Sequence, residues 1–470
     1  MTHAQTNADI AVASDASASA HPVIEDHVAV IGAGAAGLSA ARALRTLGIP
    51  VTVFEKHSDV GGIWDVNNPG SPMYRSAHFI SSKTMSGHKG FPMPDHYPDY
   101  PSNGQILDYI RSFADANSLR DDITFNTMVN NVEQHDNGWL VTTTGPEGTK
   151  TGGYRWLICA SGTTWTPNRP TLPGEENFTG EIHHANQYSD AEVLKGKRVL
   201  IIGAGNSAVD IACDAAFAAD EAHISFRRGY HFVPKHIFGK PADVFGEGSN
   251  WMPMKLQQYT FGKLLNLLNG DLSRLGLPKP DHKPLESHPI MNSQLLHYLN
   301  HGDVNGHGPI ERLEGNRVHF KKGEKIEVDL IILATGYNWS LPYLPDGLLE
   351  WENGRPKTFA KIFTPQHKNL FLSGFLEVNG GIYGLMDEMG LAIAKTIETQ
   401  LNHPKRAAKI DSYINGPEPD MSGNVNYVKS DRHTGYGNKT MFLKVFKDMR
   451  KRFGWPEVDA FYGIEKSKTH

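Results

Sequence analysis

Apolar positions along the chain gather into two blocks that repeat one order. In HVAVIGAGAAGLSAARALRTLG, residues 27–48, an apolar run of strand length meets a glycine-rich turn, then an Ala- and Leu-rich stretch closed by Gly48. A short unbroken apolar run predicts a strand covered on both faces, and the small and apolar residues after it predict a helix packed on that strand. KRVLIIGAGNSAVDIACDAA, residues 197–216, repeats the sequence of events. Each block is followed by a second strand pattern, VTVFEK at 51–56 and AHISFRRG at 222–229. Each unit then ends on an apolar strand closed by small residues, YRWLICASG at 154–162 and EVDLIILATGY at 327–337. Ser161 follows Gly32 by 129 residues and Thr335 follows Gly203 by 132, so the two units are close to a duplication.

The turns carry chemistry. Gly32, Gly34 and Gly37 stand in GxGxxG spacing. The first glycine allows a tight turn, the second lets backbone approach a pyrophosphate, and the third lets helix pack on strand, with the helix N-terminus facing the anion. Glu55, 23 residues after Gly32, is placed to accept hydrogen bonds from a ribose diol, which suits the ADP half of FAD. Gly203, Gly205 and Ala208 form the second turn, and Asn206 and Ser207 open its helix, where backbone and hydroxyl donors meet a pyrophosphate. The offset that gives Glu55 lands here on Phe226, followed by Arg227 and Arg228. Guanidiniums match a 2′-phosphate that a carboxylate would repel, so the second turn predicts NADPH rather than NADH. The expected fold is α/β, with two nested Rossmann-like dinucleotide-binding domains, for FAD and NADPH, of the glutathione-reductase-like type. The expected organisation is a disordered tail over 1–24, a first FAD-binding part over 25–168, an NADPH-binding domain over 169–328 with an insertion at 238–290, and a second FAD-binding part with C-terminal helices over 329–470. The proline-rich TTWTPNRPTLPG, residues 163–174, reads as the linker.

Composition narrows the partners. The 470 residues carry a net charge of -5, which gives no reason to expect nucleic acid. The two cysteines, Cys159 and Cys213, lie in apolar runs and read as small core residues. No CxxC pair or metal-type Cys and His spacing is present, so neither a dithiol centre nor a bound metal is expected. No run of about eighteen apolar residues predicts a transmembrane helix. The first 24 residues contain no Lys or Arg, which argues against a secretory or mitochondrial address and for a cytoplasmic protein.

FTGEIHHANQY, just ahead of the second turn, matches FxGxxxHxxxY through Phe178, Gly180, His184 and Tyr188. With EKHSDVGGIWD, which holds Gly62, Ile63 and Trp64, and with ILATGY, the chain resembles the flavin-containing monooxygenases over roughly residues 27–400. The related Baeyer-Villiger enzymes of the principal type carry Trp where this chain has Tyr188. The resemblance implies that NADPH reduces FAD, that dioxygen adds at flavin C4a, and that the hydroperoxide oxygenates a soft nucleophile such as an amine or sulfide. It also implies FAD contacts from Gly62, Ile63, Trp64 and Ser161, and a return to the FAD-binding part near Thr335. For His184 the expected role is positioning one nucleotide domain against the other, without proton transfer. In animal members an Asn beside the flavin helps hold the oxygenated cofactor; YRSAHFISSKTM puts Ile80 there, which cannot donate that hydrogen bond, and His78 stands two residues back. Ketone oxidation, or NADPH oxidation without oxygen transfer as in an oxidase or redox sensor, are the alternatives. A homodimer is compatible with the sequence.

Three further stretches predict helices. Leu256, Tyr259, Leu264, Leu267 and Leu268 form a stripe expected to cover core. GGIYGLMDEMGLAIAKTIETQL predicts a helix whose N-terminus faces the flavin, with Asp387 and Glu388 as caps, and FLKVFKDMRKRFG predicts a solvated helix.

Overall fold

The computed structural model describes residues 22–247, 252–430 and 435–465. Most of the expected N-terminal tail, and residues 248–251 of the expected insertion, lie outside the described residues. The tail boundary moves inward, because Ile24 already opens a strand that pairs with Gly153.

The first glycine block folds as β1 (Ile24–Ile31), α1 (Ala35–Thr46) and β2 (Val51–Phe54). After α2 (Asn103–Ala116) come β3 (Ile123–Thr124), β4 (Met128–His135), β5 (Gly138–Gly145) and β6 (Gly148–Cys159). The second block supplies β7 (Glu181–His184), β8 (Arg198–Ile202), α3 (Asn206–Ala218) and β9 (Glu221–Ser225). Then follow α4 (Met254–Asn269), β10 (Asn305–His307), β11 (Leu330–Leu333), β12 (Leu370–Leu372), α5 (Tyr383–Asn402) and α6 (Lys439–Phe453).

Two sheets result. The first runs β3-β2-β1-β6-β5-β4, with β12 also paired to β6. Its β3, β2, β1, β6 and β12 are parallel, and β5 and β4 add an antiparallel meander. The second runs β10-β9-β8-β11-β7 and is parallel throughout. Parallel strands need helical crossovers that cover both faces, which is why β1, β8 and β11 read as continuous apolar runs. Leu330–Leu333, assigned from sequence to the FAD-binding return, is instead the strand between β8 and β7 of the second sheet. The chain rejoins the first sheet only at β12, whose Leu372 lies opposite Cys159. Cys159 and Cys213 are free and buried, as their apolar settings require.

Three helix expectations change. Asp387 and Glu388 are buried inside α5 rather than capping it. Asp387 Oδ2 accepts the Lys89 backbone N–H at 2.7 Å, and its Oδ1 lies 3.2 Å from His88 Nδ1. Glu388 receives Arg450 of α6, and Arg450 also donates to Glu457 at 2.7 Å. α6 is not solvated, because one face buries Phe442, Val445, Phe446, Met449 and Arg450, while Lys444, Lys447, Lys451 and Arg452 are exposed on the other. On α4 the inward side is Gln258 and Leu265, so Leu256, Tyr259, Leu267 and Leu268 are exposed. Of the expected stripe only Leu264 packs on the small cluster of Val233, Ile237, Ala242 and Leu265.

Candidate cofactor and active site

Hydrogen bonding and sterics draw the first set of expected residues together at the carboxyl end of β1. Gly32 has φ +104°, and a Cβ there would sit 2.7 Å from the Ala160 carbonyl oxygen, one residue before Ser161. A Cβ on Gly37 would lie 1.9 Å from the Gly32 carbonyl oxygen, and one on Gly34 would be 3.6 Å from Gly62 Cα. Backbone therefore meets backbone at Gly32 and Gly37, while Gly34 has ordinary van der Waals room. The α1 N-cap, Gly34, makes no side-chain cap, so the first-turn N–H groups of α1 have no partner from a capping side chain. This is a cradle with the donors and the clearance that a pyrophosphate needs.

Glu55 closes the cradle at the end of β2. Its Oε2 accepts the Ala33 N–H at 2.7 Å and its Oε1 accepts the His57 N–H at 2.9 Å. Burial pushes its pKa up against the pull of those two donors. Each carboxylate oxygen keeps a further lone pair, so the side chain can still take a hydroxyl. Gly62, Ile63 and Trp64 form a short 3-10 turn fixed from below: the Ile63 carbonyl accepts Ser71 Oγ at 2.6 Å, and Trp64 packs edge-on against Phe79 at 5.2 Å. Ser161 faces Tyr343, with oxygens 3.0 Å apart, and its carbonyl accepts Trp165 Nε1 at 2.6 Å.

The second turn has the same logic and a looser setting. Gly203 has φ +143°, and a Cβ would meet the Ala334 carbonyl oxygen at 2.3 Å, next to Thr335. Gly205 caps α3 without a side-chain bond, and Ser207 in its first turn is exposed. Asn206 is drawn aside, its Oδ1 accepting the Met291 N–H at 2.9 Å and its Nδ2 lying 3.2 Å from His288. Phe226 is fully buried, Arg227 is exposed, and Arg228 pairs with Asp281 at 2.7 Å. Thr335 Oγ1 donates to the Asn168 carbonyl at 2.5 Å.

The fingerprint residues join these parts. Gly180 is required because a Cβ would meet the Asp329 carbonyl oxygen at 2.6 Å and the Phe178 ring at 2.7 Å. His184 Nε2 donates to the Gly336 carbonyl at 3.1 Å, and Nδ1 faces Asn186, 3.1 Å from its Oδ1 and 3.3 Å from its backbone nitrogen. Burial lowers the pKa of this ring. An imidazole with both nitrogens engaged by fixed partners suits positioning. Tyr188, 2% exposed, donates to Asp214 Oδ2 at 2.7 Å.

Asp214 was not found by motif reading, and neither were its companions. Ser76 donates to the same Asp214 oxygen at 2.5 Å, and Tyr74 donates to Asp210 at 2.9 Å. Asp210 and Asp214 are one turn apart on α3, so two carboxylates in the second unit hold two hydroxyls from the loop that leads to Ile80. Burial raises the Asp210 pKa. The legible signal was a pair of Asp residues spaced i, i+4 inside an otherwise apolar helix. His78 and Ile80 lie on that loop and alternate with buried Ala77 and Phe79. His78 Nδ1 lies 2.9 Å from the Ser76 carbonyl, and Ile80 is 36% exposed. Among the described residues no group of His, Cys, Asp and Glu is arranged to hold a metal, and no helix is long and apolar enough to cross a membrane.

Comparison with known proteins agrees with this geometry. Residues 25–441 match the flavin-binding monooxygenase-like family. Flavin-containing monooxygenase 5 of Cavia porcellus is 29% identical over 434 residues, covering 87% of this chain and 80% of that protein. The S-allyl-L-cysteine S-oxygenase of Allium sativum shares the fold with a TM-score of 0.63 at 20% identity, covering 93% and 91% of the two chains. The open form of a cyclohexanone monooxygenase does so with a TM-score of 0.65 at 18% identity, covering 93% and 98%. A family match over most of the chain, on a fold with two glycine cradles, places the protein in the flavin-binding monooxygenase-like family, as an FAD-containing, NADPH-dependent monooxygenase.

Proposed function

We propose that the protein oxygenates nitrogen or sulfur in small soft nucleophiles, with FAD on the first turn and NADPH on the second. In this reading the two sheets are nested dinucleotide-binding domains of the glutathione-reductase-like type, the second spanning about β7 to β11. The observation that carries the assignment of the two cofactors is the contrast at the ends of β2 and β9: a buried carboxylate at Glu55 against the guanidiniums of Arg227 and Arg228. Tyr188, where the principal Baeyer-Villiger enzymes have Trp, supports N- or S-oxidation.

Bound FAD supplies the activation of dioxygen, and NADPH supplies the reducing equivalents. The chain supplies orientation and exclusion of water. Gly32, Gly34, Gly37 and the α1 N-terminus would hold the FAD pyrophosphate, Glu55 the ribose, and Gly62, Ile63, Trp64 and Ser161 the approach to the ring. Gly203, Gly205, Asn206 and Ser207 would hold the NADPH pyrophosphate, with Thr335 beside it. His184 fixes the β11 end by its proton on Gly336, and Tyr188 with Ser76 and Tyr74 sets the angle between the units. Ile80 offers no hydrogen bond to a reacting oxygen, which favours a second reading in which some reducing power ends as hydrogen peroxide.

The test is product balance under air with a sulfide, a tertiary amine and a cyclic ketone. Sulfoxide or N-oxide matching the NADPH consumed supports the proposal. Lactone as the main product refutes it in favour of ketone oxidation, and peroxide equal to NADPH with every substrate refutes oxygen transfer.

A further inference from the structure

One contact just beyond β9 works against the expected role of the arginines there. Arg228 Nη2 donates to Asp281 Oδ1 at 2.7 Å, so the more enclosed of the two guanidiniums already holds an anion. The segment that delivers Asp281 lies directly on the residues that follow β9. A Cβ on Gly229 would lie 2.2 Å from the Lys279 carbonyl carbon, so a glycine is needed where residues 278–281 cross. That crossing is anchored twice. Lys279 pairs with Asp271 at 2.9 Å, and His231 Nε2 donates to the His282 carbonyl at 2.9 Å. His282 Nδ1 also lies 2.9 Å from the Asp281 oxygen that faces Arg228. Hydrogen bonds from His282 and Arg228 hold the Asp281 carboxyl down at about 2, so it is an anion at neutral pH.

A 2′-phosphate bound at the end of β9 would compete with this carboxylate for the Arg228 guanidinium, and two anions on one Arg repel. A ribose 2′-hydroxyl meets no such conflict, because it can donate to the carboxylate. We propose that Asp281 is a specificity-determining residue for the nicotinamide cofactor: its carboxylate competes with the 2′-phosphate for Arg228 and restrains the preference for NADPH over NADH. The inference rests on the second turn being the nicotinamide site. Arg227, exposed beside Arg228, is left as the guanidinium that meets the phosphate first.

The test is calorimetric titration of the FAD-loaded full chain with 2′,5′-ADP and with 5′-AMP, which isolates the 2′-phosphate without turnover. Asp281→Asn is expected to tighten 2′,5′-ADP binding by about fivefold, the upper scale of an exposed ion pair, and to leave 5′-AMP unchanged. The gain should vanish in combination with Arg228→Ala, and Asp281→Ser should reproduce it if the Asn variant folds poorly. Unchanged or weaker 2′,5′-ADP binding in both variants would overturn the proposal, since the carboxylate would then be supporting the guanidinium instead of competing for it. Failure of the underlying site assignment has its own signature, in which Arg227→Ala, Arg228→Ala and Asp281→Asn all bind 2′,5′-ADP like the parent; that result overturns the proposal as well.

Discussion

The two glycine turns have nearly the same spacing and very different surroundings. Around the first, every residue of α1 from Ala35 to Leu44 is buried, Glu55 is buried at the strand end, α5 packs along the helix, and α6 packs on α5 with Arg450 against the buried Glu388. Around the second, Gly203 and Gly205 are half-buried as Gly32 and Gly34 are, but the helix start is open, with Asn206 half-buried and Ser207 exposed, and an exposed Arg227 stands at the strand end. The third turn position records the same contrast. Gly37 has no room for a methyl group, whereas Ala208 carries one within 3.4 Å of where a Gly203 Cβ would be. In the proposed assignment, spacing selects a class of ligand, and enclosure decides whether that ligand stays or exchanges. A closed cradle suits a resident flavin, and an open one suits a nicotinamide that must leave after each turnover.

The comparison can be broken most severely at the cover of the first turn. Arg450→Ala leaves Glu388 buried without its main partner and is expected to cost about 3–5 kcal/mol in chemical denaturation, with loss of bound flavin. Burial holds Glu388 up at about 7 despite Arg450. A carboxyl with a raised folded pKa contributes stability that is present below its unfolded value near 4.5 and is lost as pH rises through about 7, so Glu388→Gln should flatten that fall. Next in size, Gly37→Ala should cost about 3 kcal/mol by overpacking and yield colourless protein, while Ala208→Gly at the matching position should cost only about 1 kcal/mol.

Smaller effects sharpen the difference at the open turn. Arg228→Ala is expected to raise the KM for NADPH about tenfold, on the scale of a hydrogen bond to a charged group, and to leave the KM for NADH unchanged in steady-state kinetics. Tyr188→Phe removes one hydrogen bond to Asp214 and should lower stability by about 1 kcal/mol. His184 has a lowered folded pKa, so its contribution is present above its unfolded value near 6.5 and is lost as pH falls through the folded value. His184→Gln should therefore show a shallower loss of stability on the acid side of pH 6.5, read by thermal melts across pH.

Much of this was legible because glycine spacing, apolar runs and strand-end charges are local properties. β1, α1, β8 and α3 stand where those runs predict, as do the close approaches at Gly32 and Gly203. What escaped sequence reading depends on distant partners. Lysines and arginines on α6 suggested solvent, but a helix is buried by the face that carries Phe442 and Phe446, whatever lies on the other. Asp387 and Glu388 looked like caps until His88 and Arg450, far away in sequence, supplied their partners. The α4 stripe pointed outward because period identifies a face without saying which neighbour arrives to cover it. Asp281 had no motif at all, since its importance comes only from the crossing over Gly229.

The central claim, a resident flavin in the closed turn and an exchanging NADPH in the open one, is tested most directly by anaerobic titration of gel-filtered protein. The account predicts yellow protein with one FAD per chain and no retained nicotinamide. Its flavin absorbance should be bleached by one equivalent of NADPH, more readily than by NADH. Protein that loses its flavin on the column, or flavin that NADPH cannot reduce, would contradict it.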